Sequence, residues 1–447
     1  MKKWLNLTVA FLFVSSTGYA LDPFNVLQEK APNGCIDHNI LDGKLGLPEL
    51  IEIGMCHNPN LNRGYMEVKA NEASLGKGKA EYLPTVSLTG ELQSGYHKTE
   101  GASSFNNEPY TANVGLSWLI YDFGGRSARV KRAENYLLSS QFSYNALIKD
   151  TVLDINNAYF DLLSAQEVLK SAKTSEASFK KSYEESSRRY ELGLVSLSDK
   201  LLAKTSYEES RLDVVLAANQ VKTNQGRLAQ LLNISPSIEL DLLKPKNDKD
   251  LTKLAVENMS VDEVIEMALS LRPELKKREK DIDAAIENIS VQKAAALPSI
   301  SLGASTGYND NWKENNATDY SSSVGVKLSV PLFTGFSDTY KIKEAIYQKE
   351  QADALKKETV DMVKNEVWTA YHNYTAAVSS YDISQKALES AVENERVAFA
   401  SYQVGKGDIL NLLTAGSQLS NARKEVIVAY YSVLTSKAKL YRAIGRF

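Results

Sequence analysis

The chain has 447 residues, enough for two to four ordinary domains or one large repetitive architecture. A formal charge of −3 argues against a nucleic-acid partner, and 43% apolar with 24% charged residues is the balance of a folded protein. With only 11 prolines and many Ala, Leu, Lys, Glu, Ser and Gln, the composition favours helix.

The first element is a targeting segment. Lys2 and Lys3 precede an apolar run over 4–14, followed by small residues ending in Gly18-Tyr19-Ala20. This is the pattern of a secretory signal (1–20) cleaved after Ala20, so the protein is exported. Leu21, not cysteine, follows the cleavage position, which argues against a lipid-anchored N-terminus. No later stretch offers ~18 consecutive apolar residues, so no transmembrane helix is expected.

An N-terminal extension (21–46) carries Cys35, and Cys56 follows it closely; the chain has no other cysteine. In an oxidising compartment a disulfide between them is favoured, closing a loop worth ~3 kcal/mol. A metal site using His38 and His57 and a pair of free thiols are the alternatives. Neither C-x-x-H nor C-H matches a zinc spacing, and no second ligand cluster follows.

From residue 47 onward the chain repeats itself. Pro59 and Pro273, and Leu83-Pro84 and Leu297-Pro298, each lie 214 positions apart. Ala158-Tyr159 and Ala370-Tyr371, and Leu228 and Leu440, lie 212 apart, while Gly124 and Gly335 lie 211 apart. The chain therefore reads as two copies, 47–234 and 261–447, joined by a linker at 235–260.

Each copy has the same plan. A helical segment (47–81; 261–296) stops at Leu-Pro, because proline disfavours helix at the residue before it. Period-two stretches follow. Val86, Leu88, Ala112, Val114, Leu116, Trp118 and Ile120 alternate with polar residues in the first copy, at about 83–121. Ile300, Leu302, Ala304, Val324, Val326, Leu328, Val330 and Leu332 do so in the second, at about 297–333. They predict hairpins with one apolar face, closed by the polar loops "HKTEGASSFNNEP" and "NDNWKENNATD". Glycine ("DFGG", "FTGF") then opens a long helix, about 125–192 and 336–404. Ile148, Val152, Ile155, Tyr159 and Leu162 step along it as a heptad-like seam, and ~67 residues of helix would span ~100 Å. A shorter antiparallel helix closes each copy, about 196–234 and 408–445.

The strands are about ten residues long, the length that crosses a bilayer when tilted. An open sheet cannot span lipid, since its edges leave backbone groups unpaired. Four strands cannot enclose a lumen either, so strands from several protomers must be pooled, three copies giving twelve. The fold class expected is mainly α with a β-barrel part: long antiparallel coiled coils plus four transmembrane strands per protomer, forming a trimeric barrel and a helical tunnel. A soluble two-hairpin sandwich with coiled-coil stalks is the competing architecture. A periplasmic adaptor and an adhesive envelope protein are the competing functions. An adaptor needs only one helical hairpin, and a structural protein needs no paired tip glycines.

"NPNL…LGKGKAEYLPT" near the first hairpin, "RYELGLVSLSD" at 189–199 and "YQVGKGDILNLLTA" at 402–415 resemble the TolC family of outer-membrane efflux and secretion channels. The resemblance covers essentially all of 47–447. It implies a homotrimer in outer-membrane lipid, docking at its periplasmic tips on an adaptor and an inner-membrane transporter of ABC or RND type. The cysteine-bearing start "NGC…GMCHNP" resembles members paired with type I protein exporters. No cofactor is implied.

Carried over residue by residue, Ser198 and Asp199 match the hydroxyl and carboxylate of the family's periplasmic gate, and Tyr402 matches its tyrosine. Gly407 stands where the partner arginine should be, between Lys406 and Asp408. Asn411 and Thr414 replace the two aspartates that ring the family's entrance constriction. Two readings of Lys406 stand side by side: it substitutes for the arginine by pairing with Asp199 when the gate is shut, or the two are solvated tip charges. The turns Gly193-Leu194-Val195 and Gly405-Lys406-Gly407 suit adaptor docking and also read as helix C-caps.

Other signals point to no chemistry. "DFG" at 122–124 lacks a catalytic loop and a strand lysine, and "GKGKAE" and "GKGD" lack the phosphate-loop spacing. His38, His57, His97 and His372 are scattered, and no nucleophile motif appears, so no enzyme is expected. Tyr82, Tyr96, Tyr110, Trp118, Tyr121, Tyr308 and Tyr320 near strand ends form a candidate aromatic girdle.

Overall fold

The computed structural model describes residues 44–97, 105–107, 109–245, 259–311 and 319–446. The signal segment, Cys35 and His38 lie outside the described residues. Cys56 is disulfide-bonded.

The first half runs α1 (Leu47–His57), α2 (Pro59–Ala80), β1 (Thr85–Leu92), β2 (Gly95–His97), β3 (Phe105–Asn107), β4 (Pro109–Tyr121), α3 (Gly125–Glu191) and α4 (Leu197–Leu232). The second repeats the order: α5 (Val261–Leu271), α6 (Pro273–Ala295), β5 (Ser299–Asn311), β6 (Asp319–Ser329), α7 (Ser337–Gln403) and α8 (Ile409–Ile444). Helices α3 and α7 each have 67 residues, and α4 and α8 each have 36.

Two expectations need correction. The first helical segment of each copy is two helices, broken at Asn58 and Arg272. Pro59 and Pro273 force the preceding residue out of the helical region, leaving Asn58 at φ −67°, ψ 120° and Arg272 at φ −67°, ψ 122°. Each proline then sits at the start of a new helix, where its missing N–H costs nothing. Part of the first polar loop is also a ladder, with β2 and β3 pairing from Gly95 with Asn107 to His97 with Phe105.

The main sheet is antiparallel in the order β1-β4-β5-β6, leaving β1 and β6 as its edges. The register places Leu88 opposite Val114, Trp118 opposite Leu302, and Leu302 opposite Val326. Because side chains alternate across a strand, one face collects Val86, Leu88, Val114, Leu116, Trp118, Ile300, Leu302, Val324, Val326 and Leu328. The other collects Thr85, Ser87, Thr89, Glu91, Asn113, Ser117, Ser301, Ser305, Ser321, Ser323 and Lys327. No described residue covers the apolar face: Val86 is 69% exposed, Leu88 62% and Val324 78%. The sheet's substantial contacts run between its own strands, and among the described residues no second sheet packs against it as the sandwich architecture would require. At one end Tyr110, Tyr308 and Tyr320 meet on the apolar face.

The strand-to-helix turns repeat as well. Phe123 and Gly124 have φ of +50° and +88°, and Gly335 and Phe336 +63° and +64°. In the first turn Asp122 accepts from the Arg126 amide at 2.7 Å, and the Arg126 guanidinium donates to the carbonyls of Leu119 and Ile120. The kinase-like triplet is thus a corner of the scaffold. No described helix is long and apolar enough to cross a membrane.

The helices enclose three apolar cores. One joins Leu50 and Ile53 of α1 to Ile155, Tyr159 and Leu162 of α3 and to Leu228 and Leu232 of α4. Its twin joins Val264 and Ala268 of α5 to Val363, Val367 and Tyr374 of α7 and to Leu440 and Ile444 of α8. The third lies toward the free ends of the long helices, with Phe179, Ala203, Tyr402, Ile409, Leu412 and Leu413.

Candidate functional site: the paired helix tips

Away from the sheet, α3 turns into α4 and α7 into α8 by the same hydrogen-bonded loop. In the first tip Gly193 N donates to Tyr190 O at 2.9 Å and Leu194 N to Arg189 O at 2.8 Å. In the second, Gly405 N donates to Tyr402 O at 3.1 Å and Lys406 N to Ser401 O at 2.9 Å. Gly193 and Gly405 have φ of +70° and +73°, the left-handed region where a Cβ is strained, so glycine ends both helices by a C-terminal cap.

The charges at the tips are helix caps first. Ser196 and Asp199 form a capping box: Asp199 N donates to Ser196 Oγ at 3.2 Å, and Ser196 N donates to Asp199 Oδ2 at 3.0 Å. In the second tip Asp408 takes the cap position itself. It accepts from Asn411 N at 2.7 Å, while Asn411 Nδ2 donates to its other oxygen at 2.9 Å. Each tip therefore keeps one carboxylate at the positive end of its second helix, moved from third helical position to cap.

Gly407 also has a local cause. Its amide donates to Ser401 O at 3.0 Å, and a Cβ there would lie 3.1 Å from Ser401 Cβ and 3.2 Å from Tyr402 N. A side chain at this position would need Ser401 and Tyr402 to shift by a few tenths of an ångström. Ser198, Lys406, Asn411 and Thr414 are exposed, as are Gly193, Leu194 and Gly405, whereas Val195 is half-buried. Lys406 makes no ion pair among the described residues, and the structure does not join it to Asp199 within the protomer.

Tyr402 differs most from the expectation. It is 2% exposed, inside the third core, and its hydroxyl is buried without a partner. The Arg189 guanidinium lies over its ring at 4.6 Å from the centroid. Arg189 also donates to Gln403 O at 2.8 Å and to Glu185 Oε1 at 3.0 Å. Sequence reasoning missed Arg189.

A second charged cluster lies where α5 meets α6. Arg272, 3% exposed, donates to Glu274, to Glu366 at 2.7 Å and to Ala443 O at 3.1 Å. Arg442 donates to Asp150 and Glu274, each at 2.6 Å. Burial pushes the Glu274 carboxyl up, but Arg272 and Arg442 overcome it and hold it below the usual carboxylate range. Burial likewise lowers Lys149 and raises Asp154 and Asp161. No described group of His, Cys, Asp and Glu is arranged to hold a metal.

A sheet with one apolar and one polar face, carried on two repeated helical hairpins, matches a known family. The family model "Outer membrane efflux protein" fits residues 50–233 and again residues 264–446. The chain belongs to the outer membrane efflux protein family. The two matched blocks coincide with the two repeats. Among curated relatives, Protein CyaE of Bordetella pertussis is 27% identical over 405 residues, spanning 90% of this chain and 84% of its own. Outer membrane protein TolC of Escherichia coli is 24% identical over 425 residues, spanning 89% of this chain and 82% of its own. The solved structure of the outer-membrane channel OprN superposes with a TM-score of 0.77 at 20% identity, covering 90% of each chain. The protein is thus an export channel of a Gram-negative outer membrane, in a family of channels rather than of enzymes.

Proposed function

We propose that three copies pool their sheets into one closed twelve-stranded barrel, with the helices continuing as a tunnel into the periplasm. The observation that carries this reading is the sheet itself. Its apolar face is uncovered, its polar face suits an aqueous lumen, and its edges β1 and β6 are unpaired. Exposed apolar residues on α4 (Leu212, Val215, Leu216) and on α7 (Ile383, Val392, Val397) support helix packing between protomers. The chain conducts passively and catalyses nothing.

The free helix tips form the periplasmic entrance, ringed by Ser198, Asp199, Lys406, Gly407 and Asp408, with Tyr402 buried behind them as part of the gate, and narrowed at Asn411 and Thr414. Gly193, Leu194 and Val195, with Gly405, Lys406 and Gly407, receive a periplasmic adaptor that links the channel to an inner-membrane transporter of ABC or RND type. Any Asp199–Lys406 pair crosses between protomers, is exposed, and is worth ~0.5 kcal/mol each, repeated by the threefold symmetry.

Chemical crosslinking of outer-membrane fractions tests the assembly: a trimer band is expected, and a monomer at every crosslinker dose would sink the proposal. Uncharged Asn411 and Thr414 imply weak block by multivalent cations added on the periplasmic side. Strong block would place the constriction elsewhere.

A further inference from the structure

We infer that Arg189 is the residue that positions the second helix tip in its closed place. The inference rests on the channel reading above and adds a restraint within each protomer. Arg189 belongs to the first hairpin, yet two of its contacts are to the second. Its guanidinium stacks on the Tyr402 ring, and Nη2 donates to Gln403 O, the last residue of α7. That carbonyl is one of the four a helix leaves without an internal partner, at its negative end, where a cation is favoured. Glu185, one turn earlier on α3, accepts a hydrogen bond from Nε and fixes the guanidinium plane. One planar group thereby serves a ring face, a carbonyl and a carboxylate, a combination that lysine's ammonium cannot reproduce.

The restraint is present once per protomer. The repeat equivalent of Arg189, 212 positions on, is Ser401, and the equivalent of Tyr402 is Tyr190. Tyr190 is 38% exposed and has only Lys200 over its ring, at 5.2 Å, from its own hairpin. The hydrogen-bonded tie between the two tips therefore runs from Arg189 to α7, and Ser401 makes no reciprocal tie to α3 among the described residues. Gly407, where the family resemblance places an arginine, has no side chain to supply this cation.

Tyr402 acts through its ring. Its hydroxyl is closed off from solvent within the protomer and has no partner, so a neighbouring protomer cannot reach it without movement of the tip. Moving α7 away from α3 breaks both Arg189 contacts at once, which makes Arg189 a barrier to opening.

The test is single-channel recording in planar bilayers of full-length wild type, Arg189→Met, Arg189→Lys and Tyr190→Phe, each first confirmed as an intact trimer. Arg189→Met keeps the stem and removes the charge. Its open probability should rise about tenfold, as losing a partly buried cation–π contact and a charged hydrogen bond implies. Arg189→Lys, which keeps the charge but not the plane, should fall between it and wild type. Tyr190→Phe, at the equivalent position outside the restraint, should match wild type. Unchanged gating in Arg189→Met, or opening by Tyr190→Phe as large as by Arg189→Met, would overturn the assignment while leaving the channel standing. A wild-type chain that conducts nothing would overturn the channel reading and this inference with it.

Discussion

The two halves of the chain place the same backbone around different side chains. Before each proline, a nearly buried residue reaches the carbonyl near the end of the half's last helix. Asn58 Nδ2 donates to Leu231 O at 3.0 Å, and Arg272 Nη1 donates to Ala443 O at 3.1 Å. The two carbonyls are 212 positions apart. Asn58 also caps α2 through Asn60 N and Leu61 N, whereas Arg272 enters a network with Glu274 and Glu366. At the tips the pattern recurs: one turn, two placements of the carboxylate, and a single cross-hairpin arginine. Duplication preserved the hydrogen bonds that the backbone requires and left the side chains free to diverge.

The comparison is broken most readily at the prolines. Arg272→Ala leaves Glu274 and Glu366 facing a half-empty site and should cost ~3–5 kcal/mol, seen as a large fall in thermal stability of the detergent-solubilised protein. Asn58→Ala removes a neutral cap and one buried hydrogen bond and should cost only ~1–2 kcal/mol. Equal losses would mean that the two junctions are not the same device with different chemistry.

At the tips, Gly193→Ala and Gly405→Ala should each cost ~1–2 kcal/mol, because both introduce a Cβ into left-handed backbone. Ser196→Ala and Asp408→Ala should each cost ~1 kcal/mol as lost N-caps. Local hydrogen exchange at the first turn of α4 and of α8 would read both pairs, and a large inequality within either pair would show the turns to be inequivalent.

The smallest effect is in pH. Glu274 is held below its ordinary value of 4.5 by Arg272 and Arg442, so its stabilisation is fully present above about that pH. It is lost as pH falls through the depressed value. Asp154 and Asp161, raised by burial, act in the opposite sense, destabilising at higher pH and relieving on protonation. Thermal melts of Glu274→Gln should therefore fall below wild type at neutral pH and converge with it in acid. A constant gap across the range would remove Glu274 from the network's electrostatics.

Much of this was legible in the residues. The near-constant offset, the period-two strands and the glycines at Gly193 and Gly405 are local signals, and each follows from backbone geometry. The breaks at Asn58 and Arg272 were readable from Pro59 and Pro273, since the residue before proline leaves the helical region. Ser196-Leu-Ser-Asp199 carries the capping-box spacing, so the local role of Asp199 was also readable. Arg189 was not. Its partner lies in the other repeat, more than 200 positions away, and a contact between non-equivalent elements leaves no periodic trace. The β2–β3 ladder escaped for a related reason: its strands are three residues each, too short for alternation to register.

The most direct test of the unequal tips is the single-channel conductance of Tyr190→Ala beside that of Tyr402→Ala. The two positions are equivalent in the repeat and receive the same change. The account predicts that Tyr402→Ala opens the channel, because Arg189 loses its ring and the third core loses a buried side chain, while Tyr190→Ala conducts as wild type does. Equal opening by both, or by neither, would contradict it.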